Sequence, residues 1–205
     1  ELCDASLHDM LHRRQENFTI YERIQISLDV AMAMKYLHDR NPIIIHRDLK
    51  SHNLLISRGI VKLCDFGLVR TKVSQAGTPA YMAPELLNGS TFNKSVDVYS
   101  FGILLCEIFA QEIPFNGYEL DDLRRAVIRG ERPRVPSLDT PQVIKTLMAE
   151  SWHHNPQQRP EFVQIEAELI RLLQNTPQHS EVESLESASG FGGDALDDLL
   201  CGSGK

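Results

Sequence analysis

Residues 46–53 read HRDLKSHN, and they stand between two apolar runs, Ile43-Ile44-Ile45 and Leu54-Leu55-Ile56. If both runs are buried strands, the histidine, arginine, aspartate, lysine and asparagine between them cost free energy unless partners or a ligand satisfy them. So dense a polar cluster in so apolar a setting points to a ligand.

The flanking sequence gives the cluster a scaffold. Downstream, Leu54 to Ile56 and Ile60 to Cys64 are separated by Ser57-Arg58-Gly59 and read as a small hairpin, with Asn53 at one end and Asp65 at the other. Upstream, between Phe18 and Arg40, Ile20, Ile24, Leu28 and Ala31 recur at helical spacing behind the capping residue Thr19, and Asn41-Pro42 ends the pattern. Leu68 to Ala80 shows no period and reads as an exposed loop. Val96 to Ala110 is apolar almost all round, with Glu107 the one interruption after Phe101, as a buried central helix requires. Further helices are expected near Leu120 to Arg129, Gln142 to Trp152 and Glu161 to Leu173. The hairpin holds the only strands, and there is no internal repeat. The body is therefore mainly α.

Bulk properties exclude several function classes. The 205 residues, 42% hydrophobic and 24% charged, suffice for one domain with one core. Cys3, Cys64, Cys106 and Cys201 are scattered without CxxC or Cys/His spacing. That argues against a disulfide framework or a zinc site and suits a reducing cytosol. No apolar run approaches the ~20 residues of a membrane span. From residue 175 on, six carboxylates face Lys205 alone, so this segment holds −5 of the net −7. It reads as an acidic, disordered tail behind a domain over residues 1–174. The remainder is nearly neutral and lacks the basic stripe that nucleic acid requires.

HRDLKSHN, then DFG at 65–67, then APE at 83–85, in that order, resembles the catalytic loop, metal-binding turn and activation-segment end of eukaryotic protein kinases. Lys50, and Thr78 within GTPAYMAPE, resemble the serine/threonine kinases. SVDVYSFGILLCEI and the run from Trp152 to Arg159-Pro160 look like the tyrosine-kinase-like group, near its mixed-lineage and Raf-like members. The resemblance implies the large lobe of that fold, mostly helical, with a small β-hairpin carrying the catalytic loop and DFG.

It also implies a chemistry. Phosphoryl transfer asks a protein to hold a hydroxyl in line with the γ-phosphate of ATP and to offset spreading charge with Mg²⁺. Mg²⁺ prefers oxygen ligands, which Asn53 and Asp65 supply. Asp48 is then left to orient the substrate hydroxyl and accept its proton, with Lys50 beside the γ-phosphate. Singly, Asp48, Asn53 and Asp65 would be read as caps and turn residues; the ordered motifs favour the functional reading. His46 is expected to be a core histidine with satisfied nitrogens, and Phe66 a packing residue. Arg47 is suited to bind a phosphorylated loop, with Ser74 and then Thr71 as acceptors for an upstream kinase. Glu85 and Arg159 look like the family's supporting ion pair, and Asp97 like its acceptor for catalytic-loop backbone N–H groups.

ELCDASL at the start looks like the family's hinge. There Glu1 and Cys3 offer backbone groups to adenine, Ser6 lies near the ribose, and Leu55 forms the apolar floor. Cys64 is expected to face the same pocket, although a small buried thiol is the commoner reading. No glycine-rich loop, strand lysine or helix glutamate occurs in these residues, so the resemblance implies a fragment without the small lobe. Two functions follow: a serine/threonine kinase acting on protein substrates, or a kinase-lobe binding module without catalysis. The tail's DALDDLL could also form a short helix for a partner.

Overall fold

The computed structural model describes residues 2–66, 78–136 and 139–178. Glu1, Thr71, Ser74 and the tail beyond 178 lie outside the described residues. The elements in chain order are strand β1 (Ala5–Ser6), helix α1 (Ile20–His38), strands β2 (Leu54–Ser57) and β3 (Ile60–Leu63), and short helix α2 (Pro84–Leu87). Helices α3 (Ser95–Ala110), α4 (Leu120–Arg129), α5 (Gln142–Ser151) and α6 (Phe162–Gln174) follow.

Helix α1 begins where Thr19 and Glu22 cap each other: Glu22 N–H donates to Thr19 Oγ1 (3.2 Å) and Thr19 N–H to Glu22 Oε2 (2.8 Å). Its buried positions include Ile24, Leu28 and Ala31, and it packs against α6, α3 and β3. Helix α3 is the axis of the core, buried from Val96 to Phe109. Gly102 lets α5 approach it, since a Cβ there would stand 2.9 Å from Ser151 Cβ and 3.0 Å from Trp152 N. Among the described residues, no helix is long and apolar enough to cross a membrane.

The hairpin forms as expected, with Leu54 opposite Leu63 and Ser57 opposite Ile60. Arg58 and Gly59 turn it, both at positive φ (52° and 76°), the geometry that matches strand twist in a two-residue turn. Two expectations need correction. A third strand exists, because β1 pairs antiparallel with β2, Ser6 opposite Leu55; two residues are too few to show a period. And Ile43 to Ile45 is no strand: these residues are irregular, Ile43 is 52% exposed, and Ile44 and Ile45 pack against the core from an unpaired segment.

Candidate active site

The catalytic loop is held from below by Asp97, in the first turn of α3 and fully buried. Its Oδ2 accepts from His46 N–H (2.9 Å) and its Oδ1 from Arg47 N–H (2.8 Å). His38, at the end of α1, reaches the same Oδ2 at 2.8 Å. These bonds fix Arg47 in a left-handed conformation, φ 65°, which costs a non-glycine residue ~1–3 kcal/mol and persists only where surroundings impose it. Asp65 is held likewise at φ 64°.

His46 is buried, and both of its ring nitrogens are used. Nδ1 accepts from Asp48 N–H (3.3 Å), so Nε2 carries the proton and donates to the Cys64 carbonyl (3.1 Å). The ring thereby joins the loop to the residue before Asp65. Phe66 meets His46 edge-on at 5.3 Å but is 47% exposed, so the described residues cover it on that side only.

Asp48 is the meeting point. Its Oδ2 accepts from Lys50 Nζ (2.9 Å) and from Asn53 Nδ2 (3.0 Å). Its Oδ1 accepts from Thr78 N–H (3.1 Å) and Thr78 Oγ1 (3.2 Å). Lys50 Nζ also donates to Thr78 Oγ1 at 2.6 Å. The carboxylate, lysine and threonine hydroxyl therefore form one closed group.

Asn53 Nδ2 donates to the Asp48 carbonyl as well (2.8 Å), which leaves its side-chain oxygen as the available donor atom for a metal. Cys64 N–H donates to the Asn53 carbonyl (2.9 Å), so Asn53 and Asp65 flank one hydrogen-bonded junction. Two hard oxygens there suit Mg²⁺, which completes its octahedron with phosphate oxygens and water. Among the described residues no group of three or more His, Cys, Asp or Glu could hold a metal ion, so the fit is to a metal shared with a phosphate and not to an all-protein cage.

Ser6 and Leu55 are neighbours across β1 and β2, and Leu55 is partly exposed between the buried Leu54 and Ile56. Ser6 Oγ is already engaged, donating to Asp9 Oδ2 at 2.9 Å. Cys3 is half-buried; Cys64 is too, and burial, then Asp65, raises its thiol pKa. Arg47 is buried, its guanidinium 5.6 Å from the Phe92 ring centroid. Glu85 and Arg159 form a buried two-pronged pair at 2.6 and 3.0 Å.

One residue was missed as a site residue. Glu107, whose side chain is fully buried, accepts from Ser51 Oγ (2.7 Å), Tyr81 Oη (2.7 Å) and His12 Nε2 (2.8 Å). It ties together the catalytic loop, the segment after Thr78 and the wide helical turn Asp9–Arg13. Burial, then the Glu107 charge, holds the Tyr81 hydroxyl pKa well above its ordinary value, so it stays a donor. The signal was present as the lone charge within an apolar helix, but its three partners lie far away in sequence.

Comparison with known proteins accords with this geometry. Residues 1–169 match the family described as protein tyrosine and serine/threonine kinase, and the chain belongs to that family. It is 39% identical over 82% of its length to the dual specificity protein kinase shkC of Dictyostelium discoideum, covering 36% of that protein. It is 40% identical over 84% of its length to the serine/threonine-protein kinase CTR1 of Arabidopsis thaliana, covering 22% of it. The chain thus spans about a third or less of these relatives.

Proposed function

We propose that this chain is the large lobe of a serine/threonine protein kinase of the tyrosine-kinase-like group, near the mixed-lineage and Raf-like kinases. It transfers the γ-phosphate of ATP to Ser and Thr hydroxyls of proteins in the cytoplasm. The observation that carries this reading is the closed group of Asp48, Lys50 and Thr78 beside the Asn53–Cys64 junction.

ATP with Mg²⁺ would supply the phosphoryl group and the charge that offsets its oxygens. Asn53 and Asp65 hold the metal. Asp48 orients the acceptor hydroxyl and takes its proton, and Lys50 turns from Asp48 and Thr78 towards the phosphate. Cys3, Ser6 and Leu55, with Glu1, line the nucleotide side. Arg47 reads phosphorylation of Ser74 or Thr71 by an upstream kinase. Residues 1–174 form the kinase unit, and 175–205 an acidic tail.

The test is transfer of radiolabelled phosphate from ATP to a generic Ser/Thr substrate by the chain joined to its native upstream sequence. Asp48→Asn should lower transfer by roughly 10²–10⁴. A well-folded extended protein without any transfer would instead support a binding module that engages substrates or partner kinases.

A further inference from the structure

Beside the catalytic loop lies a group of imidazoles that phosphoryl transfer does not use. His8 and His52 stack with ring centroids 3.6 Å apart and planes inclined by 25°, and His12 lies 4.9 Å from His8. His52 comes from the catalytic loop itself, between Ser51 and Asn53, whereas His8 and His12 flank the helical turn after β1.

Glu107, next to His12, is closed to an arriving cation, being fully buried and already accepting from Ser51, Tyr81 and His12. By contrast, no hydrogen-bond partner meets the ring nitrogens of His8 or His52 among the described residues. Burial, then His52 and His12, lowers the pKa of His8; burial, then Lys50, lowers that of His52. Glu107 and Asp9 act in the opposite direction on both rings. Near neutral pH each ring is therefore uncharged and offers one N–H. An anion seated there gains those donors and the field of Lys50, whereas a guanidinium meets Lys50 as a like charge and has no accessible carboxylate.

We propose that the His8–His52 pair is a substrate-selecting subsite that takes an anionic side chain, carboxylate or phosphate, a few residues from the acceptor Ser or Thr. This rests on the kinase reading above. Ser51 joins the group to the loop one residue from Lys50, and Tyr81 joins it to the chain three residues from Thr78. An extended peptide advances ~3.3–3.6 Å per residue, so a side chain two to four residues from the acceptor lies roughly 7–14 Å from it.

The test is fluorescence anisotropy of labelled peptides titrated onto the 205-residue chain without nucleotide. All carry alanine at the acceptor position and differ only in flanking residues, which are Glu, phosphoserine, Ala or Arg. The Glu or phosphoserine peptide should bind at least about fivefold more tightly than the Ala peptide, and the Arg peptide no more tightly. Preference for both anions supports a general anion subsite, and preference for phosphoserine alone supports one that reads a substrate phosphorylated beforehand. His52→Glu should reverse the order and favour Arg, a gain of binding that misfolding does not produce. His8→Gln with His52→Gln should erase the difference. Absence of binding by every peptide, Arg or Ala peptides binding as tightly as the anionic ones, or an anionic preference that survives these variants would overturn the proposal. Because nucleotide is absent, this result is separate from the phosphoryl-transfer test: a protein that binds the peptides but transfers no phosphate loses the kinase reading and keeps the subsite.

Discussion

Glu107 offers a direct test of how the site is held together. Replacement by alanine leaves three buried or half-buried donors, Ser51 Oγ, Tyr81 Oη and His12 Nε2, without their acceptor. An orphaned donor costs ~1–3 kcal/mol. The hydroxyls can rotate and His12 can reach water at its edge, so we expect roughly 3–5 kcal/mol for the alanine variant, a large share of the 5–15 kcal/mol that holds a typical domain. Glu107→Gln keeps the shape and one acceptor oxygen while its amide meets a hydroxyl that can turn to accept. It loses charge assistance but also the burial cost of a charge, for a net of about 1–2 kcal/mol. Tyr81→Phe removes one donor together with its hydroxyl, so the pair of Glu107→Ala and Tyr81→Phe should cost less than the sum of the two singles. The assay is urea unfolding followed by the single tryptophan, Trp152, which is buried against the core. An alanine variant losing under ~1 kcal/mol, or Gln and Ala variants equally destabilised, would refute the account of Glu107 as a charged acceptor for three donors.

Two further predictions use the same assay. Glu85→Ala or Arg159→Ala leaves a buried charge unpaired and should cost ~3–5 kcal/mol, whereas replacing both by apolar residues of similar volume should recover most of that loss; additive losses would contradict a coupled pair. Tyr99 lies between the guanidinium groups of Arg132 and Arg159, at 4.9 and 5.1 Å from its ring centroid, with its hydroxyl buried and unpartnered. Tyr99→Phe should therefore be neutral or stabilising by up to ~1 kcal/mol, and a clear destabilisation would show that the hydroxyl has a partner.

The parts of the fold legible in the sequence are those with a local cause. Helix α4 runs from Leu120 to Arg129 as its period implies, and α1 starts one residue after Thr19 because the cap is written in adjacent residues. The hairpin was visible from Arg58-Gly59. The segment Ile43–Ile45 misled because three apolar residues fit a strand and a packed loop equally well. Within the site, Asp48, Asn53 and Asp65 were visible as a motif. What the motif could not show is who holds it: Glu107 meets partners 26, 56 and 95 positions away, and no local period records such distances. The stacked His8–His52 pair escaped for the same reason, although the spacing of His8 and His12 was in plain view.

The two carboxylates on α3 explain why so polar a loop can sit against an apolar core. Asp97 binds the start of the catalytic loop through His46 and Arg47, and Glu107 binds its later part through Ser51. They stand ten residues apart on one helix, a separation of ~15 Å along the axis. Because α3 is enclosed on all sides, neither carboxylate can move without disturbing the core, and the close approach of α5 at Gly102 fixes the helix further. The loop's strained turn at Arg47 is thus imposed by the most rigid element of the fold. The helix that stabilises the domain is also the one that sets the geometry of Asp48, and core substitutions that tilt α3 should alter the site before they unfold the protein.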